Sequence, residues 1–529
     1  MNKQFYFGGT VLTMEDRQPY AEAVLVEDGK IAAVGSCEEL MDAAAGAELV
    51  DLKGGVLMPG FIDAHSHFSS YAVSLLQPSV EEAVDFKEIQ ETIRRFLEKN
   101  RIPAGKWITV KGFDHNRLRE KCPPDRSVLD EVAPDNPLFL QHQSGHTGVF
   151  NTKGLEALGV DENTPDPAGG RIERVDGRLT GFMEENAVVE AIQKIPMPTL
   201  EELEGAYQEA QRRYAGYGIT TMQEGMMMDV MADMLELLCA KKLLRLDLVG
   251  YMDVRSCAVL KEKFGDHIDA YRDHFKIGGY KTFLDGSPQA RTAWLRQPYE
   301  NAPDGYRGYP TLTDEQLLET VRRALKEGRQ LLAHCNGDAA AQQYLTVFNR
   351  ALGELDDAPD IRPVMIHAQL LGRDQLPLMK QIGMIPSFFV AHVYHWGDVH
   401  IRNFGMERAS GISCAHSAQK EGIRFTFHQD APVIEPDMLE TVWCAVNRVT
   451  KDGVELGPQE RISPMEALKA VTIHAAYQYF EERSKGSIRA GKRADLTVLS
   501  ADPTKVPAQA IRDIRVLRTI KDGEIVYQA

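Results

Sequence analysis

The chain has 529 residues, with 60 basic against 77 acidic side chains and a formal net charge of -17. That balance argues against a nucleic-acid or anionic-membrane partner held by bulk electrostatics, while the length suffices for one barrel-sized core or several smaller ones. The seven cysteines are scattered singly with no Cys-x-x-Cys pair, which is not a disulfide framework, so a reducing cytoplasm is the expected compartment.

In chain order, residues 1–57 read as short strands separated by turns, with Asp28-Gly29 as a hairpin signal. Neither an export signal nor a bilayer-spanning segment is expected, because no apolar run is long enough. A strand is predicted over 60–66. Within PGFIDAHSHF it places His65 and His67 two residues apart, so that in an extended chain both imidazoles aim at one point, as metal ligands do. The interval of about 70–200 is too long for a crossover and carries pieces such as PDPAGGR, so it reads as an insertion on the active-site side of a barrel. Seven further strands are expected at 219–225, 245–252, 276–285, 330–336, 362–368, 384–390 and 423–430. Helical patterns at 200–216, 314–328 and 465–482 fall between or after them, the alternation that a parallel βα barrel requires. The carboxyl end again sets an Asp-Gly (Asp522-Gly523) between alternating runs. Neither terminus has strands enough for its own core, so the two are expected to combine. The reading is an α/β chain: a (β/α)8 TIM barrel over 59–483 with the insertion, and a small β-sandwich built from 1–58 and 484–529.

Lys281, His334, His367 and Asp430 each end a strand-like run downstream of the histidine pair. His334 and His367 close apolar runs, where a buried imidazole without a partner is costly and a ligand role answers the cost. Lys281 as a free ammonium would repel a cation, so on chemistry alone it reads as a salt-bridged or core-edge lysine. Glu184 and Glu185 are competing carboxylate donors but fall inside the insertion, where they are expected to contact substrate or cap a helix.

Taken together, PGFIDAHSHF, GHTGVFNTKGLEALG, YKTFLDGSPQARTAWL, AHCNGDAA, HAQL, HQDAPV and GSIRAGKRADLTVLSADP resemble, in order and spacing, the amidohydrolase superfamily. The resemblance covers nearly the whole length and points to the YtcJ-like branch, which includes N-substituted formamide deformylases. It implies a metal centre at the carboxyl ends of the barrel strands, with His65, His67, Lys281, His334, His367 and Asp430 as ligands. It also implies that Lys281 is carbamylated and bridges two metals. One or two zinc ions are the expected cofactor, and Asp430 is the expected catalytic base, taking a proton from water and passing it to the leaving nitrogen. His146, Arg291, Trp294 and His392 are the substrate-binding candidates. Cys335, beside His334, stands where a small apolar residue is expected and is a soft ligand in its own right.

The function so read is metal-dependent hydrolysis of an amide-type carbon–nitrogen bond in an N-acyl or N-formyl amine. A deaminase, lactonase or phosphoester hydrolase on the same scaffold is the alternative, and a non-catalytic metal-binding regulatory protein is the reading from another class. The partner is a small molecule, with a homodimer left open.

Overall fold

The computed structural model describes residues 3–143, 147–196 and 198–529, which divide into two compact units, 1–71 with 208–529, and 72–207. The first unit is organised by a parallel eight-stranded sheet. Its strands are β1 (Phe61–Ile62), β2 (Ile219–Met227), β3 (Asp247–Asp253), β4 (Phe275–Phe283), β5 (Gln330–Cys335), β6 (Val364–His367), β7 (Ile385–Phe388) and β8 (Thr426–Phe427), paired in that order. Every residue of β3 is buried, as are eight of the nine in β2, so neither strand shows an alternation of buried and exposed positions. The sheet curls. Beyond its two edge strands, Asp430 N–H donates to His65 O at 3.2 Å and His67 N–H to Ala431 O at 2.8 Å, so the chain after β1 meets the chain after β8.

Helices cover the outside, and their ends follow from local chemistry. The helix Asp314–Glu327 starts in a capping box between Thr313 and Gln316 and stops at Gly328, whose φ of 61° closes the last turn. Its Leu317, Leu318, Val321, Ala324 and Leu325 are buried and form a single stripe.

Both chain ends contribute to one six-stranded sheet, in which Leu496–Leu499 pairs antiparallel with Val56–Pro59. A four-stranded sheet is built from Lys3–Phe7, Ala23–Glu27, Lys30–Gly35 and Glu48–Asp51. Tyr6, Val24 and Val26 of the smaller sheet share a core cluster with Leu57, Leu496, Val498 and Ile520 of the larger. The buried Asp247 carboxylate ties the carboxyl-terminal segment to the start of β3, with Lys485, Lys521 and Arg493 at 2.6, 3.0 and 3.0 Å from Oδ2.

The second unit has a five-stranded sheet in the order Gly170–Val175, Arg178–Glu185, Thr147–Phe150, Leu138–His142, Ile108–Phe113. One of its cores gathers Ile89, Ile93, Val110, Leu129, Leu138, Leu140 and Val149.

Several expected boundaries are corrected. The strand expected over 60–66 ends at Ile62, and the one over 423–430 covers only Thr426–Phe427, because the segments that follow leave the sheet to bond each other at the rim. The helix expected over 465–482 is two, Pro464–Ala470 and Ile473–Gln478. They are broken at Thr472, whose backbone is non-helical and whose hydroxyl donates to Leu468 O at 2.6 Å. The segment after β7, which carries His392 and His400, holds helices His392–His395 and Gly397–Ala409.

Candidate metal centre

His65 and His67 lie just past β1, so they converge not as alternate residues of a strand but through the bend that follows it. The convergence is nonetheless tight: His65 Nε2 and His67 Nε2 stand 3.5 and 3.4 Å from the same atom, Oδ1 of Asp430. Asp430 has φ 54° in the turn after β8. Lys281, near the end of β4, brings its Nζ within 3.2 Å of His65 Nε2. His367, the last residue of β6, sits with Nε2 4.0 Å from Asp430 Oδ2 and 3.1 Å from Nδ1 of His334 on β5. All six expected ligands therefore form one connected cluster at the carboxyl ends of the strands, where barrel enzymes place their chemistry.

The tautomer of His65 is set by its neighbour. Gln223 on β2 donates through Nε2 to Ala64 O at 2.6 Å and to the Tyr479 hydroxyl at 2.8 Å, so its Oε1 faces His65 Nδ1 at 2.6 Å. An amide oxygen only accepts, so Nδ1 carries the proton and the lone pair of Nε2 points at Asp430 and Lys281. Gly225 makes room for this ring: a Cβ there would lie 2.5 Å from His65 Cε1.

Burial keeps all four histidines from charging. It holds His67 down to about 4 and His334 to about 3, with the Lys281 charge reinforcing both, and it holds His65 and His367 well below the ordinary range. Burial likewise pushes Lys281 toward the neutral amine, opposed by Asp430, and raises Asp430, opposed by Lys281. Asp430 Oδ1 is buried and accepts no hydrogen bond among the described residues. Asp430 Oδ1 faces the unprotonated Nε2 of His65, with His67 Nε2 3.4 Å away, and a cation in that space would be held by all three, since imidazole with carboxylate is a donor set for a divalent ion. The residues fit a metal.

Sequence reasoning missed four contributors. Gln223 is one. Glu224, its neighbour, is buried and raised to about 7 by that burial; it accepts from Ser69 N–H at 2.7 Å and stands 4.0 Å from His67 Nδ1. His428 bridges Ser387 Oγ, 2.8 Å from its Nδ1, and His367 Nδ1, 3.0 Å from its Nε2. Asp285 accepts backbone bonds from Trp294, Asn336 and Gly337 at 2.9, 2.9 and 2.7 Å, tying the segment after β4 to the turn that follows His334. A signal existed for the first two: Gln223 and Glu224, adjacent and polar, near the end of the expected strand ITTMQEG.

The other candidates are placed as follows. His392 is buried, bonded to His400 at 3.0 Å and packed edge-on to Phe389 at 4.5 Å, whose ring in turn lies 6.1 Å from that of His367. Trp294 is half-buried and anchored through its backbone to Asp285. Arg291 is engaged within its own loop, donating to Glu300 O at 2.6 Å and lying over the Tyr299 ring. His146 lies outside the described residues. Glu184 pairs with Arg171 at 3.3 Å, and Glu185 stands at the N-cap of Asn186–Ile192, both in the second unit. Cys335 is buried with Sγ near Gly337 O, and burial drives its thiol well above the ordinary range, so it is packed as an apolar side chain and not presented as a soft ligand.

Residues 48–527 match the model of the Amidohydrolase family. The chain is 28% identical to the N-substituted formamide deformylase of Arthrobacter pascens, with 100% of this chain and 99% of that protein covered. It is 26% identical to the putative amidohydrolase YtcJ of Bacillus subtilis, with 99% of each covered. An uncharacterized metal-dependent hydrolase of Pyrococcus horikoshii superimposes with a TM-score of 0.76 at 25% identity, over 96% of this chain and 99% of that one. These likenesses favour hydrolysis of an amide-type carbon–nitrogen bond over the deaminase, lactonase and phosphoester alternatives. The chain belongs to the amidohydrolase family, in its YtcJ-like branch, and is a metal-dependent hydrolase of non-peptide carbon–nitrogen bonds.

Proposed function

We propose that the substrate is an N-formyl or short N-acyl amine, and that His65, His67, Lys281, His334, His367 and Asp430 hold one or two zinc ions that serve its hydrolysis. One observation carries the reading: His65 Nε2 and His67 Nε2 converge on a buried Asp430 Oδ1 that accepts no hydrogen bond among the described residues. The formamide deformylase likeness supports the N-formyl class. Bound zinc supplies a Lewis acid that acidifies water and polarises a carbonyl.

The protein's own residues do the rest. Asp430 accepts a proton from the attacking water and returns it to the departing amine nitrogen, and burial, which raises its affinity for a proton, suits it to both steps. Lys281, buried against His65 and the Phe283 ring, is held toward the amine form that adds to carbon dioxide with loss of a proton. The resulting carbamate would supply the bridging carboxylate. Gln223 and His428 orient His65 and His367 through the ring nitrogens that face away from the centre. Trp294, His392 and Arg291 are assigned to the substrate.

The eight-stranded sheet is taken as a closed (β/α)8 barrel over 59–483 with an insertion at about 70–200. The terminal sheets are taken as one β-sandwich of 1–58 and 484–529. Seven unpaired cysteines support a cytoplasmic setting, and no helix among the described residues is long and apolar enough to cross a membrane. The test is a screen of N-formyl and N-acyl amines with protein stripped by chelation and reloaded with zinc. Release of amine and carboxylate should vanish on stripping and return on reloading; a zinc-loaded protein that cleaves no member of either class refutes the substrate assignment.

A further inference from the structure

Three side chains of the second unit meet at the carboxyl ends of two neighbouring strands. Ile108–Phe113 and Leu138–His142 pair in parallel from Leu138 opposite Ile108 to Gln141 opposite Lys111, and the register then slips so that His142 stands opposite Phe113. A slip of this kind turns a side chain away from its ladder position. It brings His142 beside the two residues that follow Phe113. His142 Nε2 is 3.7 Å from Asp114 Oδ1, and the His142 and His115 ring centroids are 5.3 Å apart. One ligand atom from each of Asp114, His115 and His142 lies within 4.8 Å of the other two.

The cluster is sheltered and held in place. The side chains of His142 and Asp114 are only 11% and 12% exposed, and the Phe113 ring packs edge-on to His142 at 5.0 Å. Asn116 donates to Asp114 Oδ1 through its backbone N–H at 2.9 Å and its amide at 3.1 Å, while Gln143 donates to Oδ2 at 2.7 Å. These bonds fix the carboxylate, and Oδ2 keeps a lone pair free of them. At 3.7 Å the His142–Asp114 pair is too long for a hydrogen bond. Two imidazoles and one carboxylate on one side of an ion form the facial donor set of first-row divalent metals, with positions left for other ligands.

We propose that Asp114, His115 and His142 form a second divalent-metal site, for zinc or a neighbouring first-row ion, within the 72–207 unit. It uses no residue of the His65–Asp430 cluster.

The test counts metal on the full chain. Protein stripped by chelation is equilibrated with Zn²⁺ and its bound metal measured, with Co²⁺ absorption as a second readout, in wild type, His115→Gln, His142→Gln and the double variant His65→Ala/His67→Ala. Each second-unit variant should bind one equivalent fewer than wild type. The His65→Ala/His67→Ala protein should retain an equivalent that disappears when His142→Gln is added. His115 is only half-buried, so His115→Gln carries the test should His142→Gln lose its circular dichroism. Equal stoichiometry in wild type and His115→Gln, or no metal in folded His65→Ala/His67→Ala protein, overturns the site. A failed central cluster reads differently, as no loss of metal on His65→Ala/His67→Ala.

Discussion

Replacing Gln223 by leucine tests whether the centre depends on a residue that touches no metal. Gln223 is fully buried and makes three hydrogen bonds, but two of its partners have substitutes. Ala64 O still accepts from Gln478 Nε2 at 2.9 Å, and the Tyr479 hydroxyl still donates to Asp63 O at 2.6 Å. Only His65 Nδ1–H is left without an acceptor. The structural cost should therefore be that of one unsatisfied buried donor, about 1–3 kcal/mol, and not the sum of three bonds. The functional cost lies elsewhere. Without its acceptor the ring can rotate or take the other tautomer, and loss of such an outer partner lowers metal affinity by roughly 10–100-fold. Zinc affinity measured against a chromophoric chelator, with urea unfolding of the stripped protein, separates the two effects. A Gln223→Leu protein that loses the expected stability yet binds zinc and turns over as wild type would refute the orienting role.

Asp430→Asn keeps the side chain's size and one oxygen but cannot accept the water proton, so metal should be retained while kcat falls by about 10² to 10⁴-fold; undiminished kcat removes Asp430 from proton transfer. Lys281→Ala should lose activity that short-chain carboxylic acids partly restore, and intact-mass measurement under gentle conditions should show the added carboxylate on the wild type; a variant with two metals and wild-type rates would end the carbamate proposal. His400, in the helix Gly397–Ala409, is fully buried and held down to about 3 by that burial alone. The unfolded chain therefore binds the proton more readily, so the stability that His400 confers is present above about pH 6.5 and is lost as pH falls toward 3. The slope it adds is up to about 1.4 kcal/mol per pH unit, so urea unfolding at pH 7 and pH 5 should show a smaller loss for His400→Gln than for wild type. Equal losses would show that His400 does not carry the acid sensitivity.

What is local could be read from the order of residues. Strands buried on both faces are largely apolar, so most of β3 to β7 were legible as runs. The residues that break those runs at their ends, Lys281, His334, His367 and Asp430, stood out because a polar group there needs a partner. The His65 and His67 pair was legible for its spacing, although the strand geometry invoked for it does not hold: β1 stops at Ile62, and the bend beyond it does the aiming. Only the tertiary structure decided which partner each group has. Gln223 meets His65 across 158 positions of sequence and His428 meets His367 across 61, and neither spacing leaves a trace in composition or periodicity. The joining of the two chain ends in one sheet could be expected from the shortage of strands at each, but its register, Leu496 opposite Pro59, could not. The same holds for the slip between Gln141 and His142, which turns an ordinary strand end toward Asp114 and His115. Side-chain type is written in the chain, whereas proximity is set by how the sheet curls and how its loops return, and a metal centre is made of proximity.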